Sequence, residues 1–277
     1  MEPVWDGPPH PWDWSTALLL LVVHLGALAA GHFFSWSGLA VAVGLVVVSG
    51  LGITLGYHRL LTHRSFKTYK WLERGLALAG SLACQGGPVG WVAVHRLHHA
   101  HADDERDPHN ASRSFWWAHM GWLLSTAPNK LDPAIRRRVA PDLEADPFYR
   151  WLDRAFIPQA VLLGYGLSLL GGWPWVVWGM FVRLTFTFHS TWLVNSAAHT
   201  FGYRSHPTPD RSTNCWWVAW LTFGEGWHNN HHAYPRSARH GFKPWEIDLT
   251  YLAICLLERL GLAWNVQRPP ANDCERA

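Results

Sequence analysis

Eight histidines fall in three tight groups: His58 and His63 in YHRLLTH, His95, His98 and His99 in HRLHH, and His228, His231 and His232 in HNNHH. Imidazole is the commonest side-chain ligand for borderline transition metals, and one ion does not need eight of them, so the pattern points to a polynuclear metal centre. On a helix, H-x-x-H-H sets its residues at i, i+3 and i+4, neighbours on one face that are able to ligate a common site from one direction. Two such boxes in one chain are far more specific than a single short motif. His24, His32 and His206 stand alone and read as core hydrogen-bonders.

Long apolar blocks carry these groups. Of 277 residues, 49% are hydrophobic and 20 are tryptophan. From Thr16 to Tyr57 there is no Lys, Arg, Asp or Glu, a longer uncharged run than a pair of soluble core helices usually shows. It divides into blocks at about 16–34 and 38–57, the first long enough at 1.5 Å per residue to cross a bilayer core of about 30 Å. Two further blocks, about 156–170 and 175–194, flank the turn-forming Gly171, Gly172, Trp173 and Pro174. The expected fold is therefore an all-α membrane protein, with four transmembrane helices in two hairpins. One integral domain over 1–277 is the simplest organisation.

Charge orients this arrangement. Neither short hairpin turn carries a charged residue, whereas residues 57–155 carry fourteen Lys plus Arg and residues 200–277 carry eight. The positive-inside tendency places the histidine-bearing regions and both termini in the cytoplasm. A fifth apolar stretch, Leu76 to Val94, would separate His58 from His95 if it crossed. Gly80, Gly86, Gly87, Pro88 and Gly90 interrupt it and Gln85 is a costly guest in hydrocarbon, so it reads as interfacial or re-entrant.

The remaining global features mostly exclude. With a net charge of +3 and no basic run longer than Arg136, Arg137 and Arg138, nucleic-acid binding is not expected, and that triplet reads as a solvated face near lipid headgroups. Cys84, Cys215, Cys255 and Cys274 show no C-x-x-C spacing and make no disulfide framework. The stretch Met1 to Trp14 lacks Lys and Arg, so the first apolar block reads as a retained anchor and not a cleaved signal.

With the histidines on one side of a membrane, the sequence resembles the stearoyl-type (delta-9) integral-membrane fatty acyl desaturases. YHRLLTH, WVAVHRLHHAHADDERDPHN, TWLVNSAAH and GEGWHNNHHAYPRSARHG match that family's signature regions in order, and PDLEADP and GFKPWEIDLTY resemble its bacterial branch. The resemblance implies a bacterial inner-membrane protein whose spans are capped by a cytosolic helical domain, about 58–155 and 199–277, holding a di-metal centre of two irons, ferrous in the resting reduced state, bound by His58, His63, His95, His98, His99, His228, His231 and His232. It adds His199 as a ninth histidine and Asn195 acting through water. It also implies that Trp91, Thr191 and Trp192 line a kinked acyl tunnel that Gln85 helps to fix, whereas Trp36, Trp173 and Trp175 read as an interfacial belt.

Such chemistry needs a metal and oxygen, because side-chain acids and bases with ordinary pKa values of about 4 to 10 cannot take hydrogen from an unactivated methylene. Acids tuning the irons through their ligands are sought among Asp103, Asp104, Glu105, Asp107 and Glu225; Glu225 is the foremost, and a solvated loop is the plainer reading for most of the other four. The expected substrate is a long saturated acyl chain on CoA or on membrane lipid. Where the acyl-CoA branch has an Arg-Asp pair before its histidine box this chain has Ala93 and Val94, leaving Arg96, Arg106 and Arg113 as candidate phosphate partners. No heme or ferredoxin motif is present, so electrons are expected from a separate donor such as ferredoxin or cytochrome b5. A hydroxylase or ketolase with the same boxes is the alternative enzyme; a metal transporter or sensor would carry its ligands within the spans.

Overall fold

The computed structural model describes residues 11–126 and 130–270; Cys274 and most of the stretch Met1 to Trp14 lie outside them. The described chain is mostly helical. Helix α1, Trp14–Ala27, begins where Asp13 accepts the Thr16 amide at 3.2 Å, a side-chain cap for an otherwise orphaned donor. It continues through a 3-10 turn, Leu28–Ala30. Helix α2, Trp36–Leu51, is capped by Ser35 and runs directly into a π-helix, Gly52–Thr62.

Helices α3 (Lys70–Ser81) and α4 (Pro88–His101) follow, and the Leu76–Val94 stretch is broken between them. At that break Cys84 (φ 54°) and Gly86 (φ 96°) adopt left-handed backbone. Gly52 allows α2 and α3 to cross closely, since a Cβ there would lie 2.2 Å from the backbone nitrogen of Gly80. The first free amides of α4 are held from far along the chain, Val89 N and Gly90 N donating to Asp153 Oδ1 at 3.1 and 3.0 Å. Three short helices, α5 (Phe115–His119), α6 (Pro133–Val139) and α7 (Pro141–Ala145), lead to α8, Pro147–Val176.

From α8 the helical stretch continues through a second π segment, Val177–Val182, into α9, Arg183–Ser196, and a 3-10 turn ending at His199. Straight, these 53 residues would extend about 80 Å. They do not run straight, because Gly172 at φ 63° and ψ −157° reverses the direction. A Cβ on Gly179 would lie 2.8 Å from Leu167 and one on Gly164 3.6 Å from Met180, pairings symmetric about residue 172, so the two arms are antiparallel. Short helices α10 (Trp216–Leu221), α11 (His228–Ala233) and α12 (Leu249–Arg259) close the fold, with a two-stranded ribbon of β1 (Lys67–Thr68) and β2 (Ala263–Trp264).

Two helical stretches, Trp36–Thr62 and Pro147–His199, the second folded back at Gly172, are long and apolar enough to cross a membrane, and Trp14–Ala30 is a shorter apolar helix. Leu18, Leu21 and Leu25 on α1, Val43, Val47 and Val48 on α2, and Val161, Leu162 and Leu169 on α8 are exposed. An outward belt of this size suits an apolar solvent better than water. Cys84, Cys215 and Cys255 are free thiols.

Candidate metal centre

The histidine groups, distant in sequence, meet at one end of the helix bundle. The ligand atoms of His58, His63, His95, His99 and His231 form one set and those of His98, His199, His228 and His232 another, all within 4.8 Å of one another in each set. Each H-x-x-H-H box is thus shared between two sets instead of facing one site. Residues i and i+4 are about 40° apart around a helix, whereas i+3 and i+4 are about 100° apart. His95 and His99 therefore stay together and His98 crosses to the other set, while His228 and His232 stay together and His231 crosses back.

The π-helix explains His58 and His63. On an α-helix, residues five apart point about 140° away from each other, whereas i→i+5 bonding stacks them. The His63 amide donates to the His58 carbonyl at 3.1 Å, and the two rings lie 4.8 Å apart. His63 and His58 thereby enter the same set as His95, whose ring centroid is 4.5 Å from that of His58.

Carboxylates orient four of these rings through Nδ1: Glu225 on His58 at 2.6 Å, Asp107 on His98 at 2.9 Å, Asp103 on His199 at 2.9 Å and Asp210 on His232 at 3.0 Å. Asp103 and Asp107 are therefore not solvated loop residues, although Asp104, paired with Arg106, is more exposed. Burial would push the Asp107 carboxyl up, but the facing His98 and His109 outweigh it and hold it below the ordinary range. Burial opposes ionisation of Glu225 likewise, and Arg59, His58 and His240 overcome it. Burial is also the main reason that His99, His228, His231 and His232 lie well below the ordinary imidazole value, which keeps their lone pairs free at neutral pH.

The donor set fits bound cations. His98 and His232 each face a carboxylate through Nδ1, which leaves Nε2 as the free donor atom on both rings, the two 3.2 Å apart. A shared cation or a proton has to lie between them. The other facing pairs, His58–His231 at 3.1 Å, His95–His99 at 3.1 Å and His99–His231 at 2.9 Å, have the separation of about 3.0 Å expected for two nitrogens bound at right angles about 2.1 Å from one ion. His63 Nε2, His199 Nε2 and both ring nitrogens of His228 are buried without a hydrogen-bond partner, and a metal taking one nitrogen of each ring would relieve most of that cost.

Several contributors had no sequence signal. Asp210 carries no recognisable spacing to His232. His240, fully buried, stacks 4.4 Å from His231, and its Nδ1 lies 3.3 Å from Glu225. Arg59, also fully buried, donates to Glu225 at 2.8 Å and Asp248 at 2.9 Å, neutralising two acids beneath the site. Of the lone histidines, His24 does serve as a hydrogen-bonder, to the Leu20 carbonyl at 2.6 Å and to His189 at 3.0 Å.

An apolar cavity abuts the histidines, lined by His58, His95, His228, Asn195, Trp91 and Thr191 and by aliphatic residues of α2 and α9. Trp91 lies almost parallel to His95, ring centroids 5.1 Å apart. Gln85 stands behind the wall, donating to Thr191 Oγ1 at 2.9 Å and to the Thr187 carbonyl at 3.3 Å. Trp192 is not brought to this space. One residue turns a helix by about 100°, and Trp192 instead packs away from the lining, against Phe188, His119 and His189. The three arginines considered for phosphate all have internal partners: Arg96 binds Asp142 at 2.7 Å, Arg106 binds Asp104 at 2.7 Å, and Arg113 sits 3.7 Å over Trp117.

Known proteins share this arrangement of sequence. A family model for fatty acid desaturases matches residues 34–246. An sn-1 stearoyl-lipid 9-desaturase of Anabaena variabilis is 54% identical over 92% of this chain and 94% of its own length. An sn-2 palmitoyl-lipid 9-desaturase of Nostoc is 48% identical over 93% and 91%, and an acyl-CoA 5-desaturase of Anemone leveillei is 47% identical over 89% and 77%. With the family match spanning both histidine boxes, the cavity wall and the helices between them, this chain belongs to the fatty acid desaturase family.

Proposed function

We propose that this enzyme is an O2-dependent, di-iron delta-9 desaturase whose substrate is a saturated chain esterified to membrane lipid. The carrying observation is the pair of interlocked histidine sets at the inner end of an apolar cavity. The balance is one saturated chain, O2, two electrons and two protons in, and one cis-unsaturated chain and two waters out. Iron, when bound with O2, supplies the hydrogen-removing chemistry that no side chain can perform.

The chain's own residues hold and orient. His58, His63, His95, His99 and His231 serve one metal and His98, His199, His228 and His232 the other, with Asn195, four residues before His199 on the same helix face, contributing through water. Glu225, Asp103, Asp107 and Asp210 fix the rings so that Nε2 points inward. Trp91 and Thr191 press a methylene chain against that end while Gln85 holds Thr191, and because chain carbons are nearly identical chemically, position must come from this steric placement. Two features favour a lipid carrier over CoA: among the described residues no Lys or Arg lines the cavity, and two of the relatives above are named as lipid 9-desaturases. A separate protein, ferredoxin or a cytochrome b5, brings electrons to the cytoplasmic face.

The apolar helices fit four crossings in two hairpins of one integral domain, with turns near residues 31–35 and 171–174 outside and the metal centre and termini in the cytoplasm. Expression in a bacterium auxotrophic for unsaturated fatty acids, with gas chromatography–mass spectrometry of lipid classes, tests the activity. Growth with a cis-9 monoene in glycerolipids is expected; hydroxylated chains, or no product from iron-loaded protein, would refute it.

A further inference from the structure

The cavity beneath the histidines is open on one side. Two of its lining residues, Phe186 on α9 and Leu221 at the end of α10, are 42% and 37% exposed, while its inner residues His58, His228 and Glu225 are buried. Val46 and Gly50 of α2 form the facing edge, beside the exposed Val43 and Val47. Phe186 precedes His199 by thirteen residues, which places it about 20 Å along the helix from the ligands. Leu221 adjoins Trp220, exposed like Trp216, the kind of side chain that settles at a membrane interface. The opening is thus a slot running down between α2 and α9, apolar along its length, on the same outward surface as the lipid-facing helices.

We propose that this slot is a lateral portal, through which the acyl chain of a glycerolipid enters sideways from the leaflet while its headgroup stays at the level of Trp216 and Trp220. This rests on the lipid-carrier reading given above. End-on threading from the cytoplasm would draw methylenes through water, each at a hydrophobic cost, whereas sideways entry keeps the chain in apolar surroundings throughout. The inner rim is built for close passage: a Cβ on Gly50 would lie 2.4 Å from the Phe223 ring, so glycine is what lets α2 approach Phe223 at the mouth.

The test uses full-length, iron-loaded enzyme in proteoliposomes, with Phe186→Cys, Leu221→Cys and, as a control on the outer face of α8, Leu170→Cys. Each is treated with a bilayer-soluble, bulky maleimide or with a water-soluble, impermeant one, and the unsubstituted enzyme measures reaction at native thiols. At position 186 the bilayer reagent should react at least tenfold faster than the aqueous one, and modification should cut conversion of liposomal lipid at least tenfold with bound iron unchanged. Labelling at 170 should leave conversion unaffected. Conversion of acyl-CoA but not lipid by the unsubstituted enzyme would overturn the carrier reading on its own. Labelling of 186 or 221 that leaves lipid conversion intact, or labelling of 186 only from water, would overturn the portal; Leu221→Cys carries the test if Phe186→Cys does not fold.

Discussion

Glu225→Gln separates orientation from folding at the metal centre. Glu225 is buried, accepts from His58 Nδ1 at 2.6 Å, and receives Arg59 at 2.8 and 3.2 Å. The amide keeps volume and one acceptor oxygen but loses the charge that makes His58 a better donor to metal. Loss of such an orienting partner typically lowers metal affinity about 10- to 100-fold, or about 1.4 to 2.7 kcal/mol. Arg59 retains Asp248 at 2.9 Å and the Ala238 carbonyl at 2.6 Å, so the fold should survive. Glu225→Ala removes the acceptor as well and leaves a fully buried guanidinium short of a partner, a change of about 3 to 5 kcal/mol in stability. Dialysis against graded chelator followed by elemental analysis, with thermal unfolding in detergent alongside, resolves the two effects. The glutamine variant should lose metal at weaker chelation with little change in midpoint, and the alanine variant should lose both. Wild-type metal retention by Glu225→Gln would refute the orienting role.

The two histidine sets make distinct predictions. His228→Ala strips a four-histidine set and should release one metal equivalent while the five-histidine set keeps its own, as elemental analysis would show; loss of neither would contradict the division. Thr191→Val removes the hydroxyl that Gln85 holds and should yield mixed double-bond positions, whereas Trp192→Ala should cost about 3 to 5 kcal/mol of stability as a core truncation with an unchanged isomer; chromatography of derivatised products distinguishes them. Arg183, buried, donates to the Leu82 carbonyl at 2.5 Å and the Gly179 carbonyl at 2.9 Å, pinning the break between α3 and α4. Arg183→Leu should lower stability by about 1 to 3 kcal/mol per orphaned acceptor, with partial recovery in Arg183→Lys. Cysteines replacing the exposed Trp36 and Trp173 should react with impermeant reagents from outside only; labelling from the cytoplasmic side would reverse the topology.

Residue types and short-range periodicity carried much of this protein into view. H-x-x-H-H on a helix places imidazoles together through i, i+3 and i+4 geometry, which is local, and uncharged blocks declare an apolar environment by composition alone. The reversal near Gly172 was legible for the same reason, since glycine admits the positive φ that a tight return needs. Which histidine joins which set was not, because it depends on how α4 and α11 face each other across 130 residues of chain. Nor was the close approach of the His58 and His63 rings, which depends on π winding over Gly52–Thr62. Asp103 meets His199 only in the folded bundle, so it read as a solvated loop residue, and Asp210, which meets His232 in the same way, gave no signal at all. Trp192 shows the same limit from the other side: sequence set it one residue from Thr191, but which face of α9 met the cavity was decided by Phe188, His119 and His189 packing behind it.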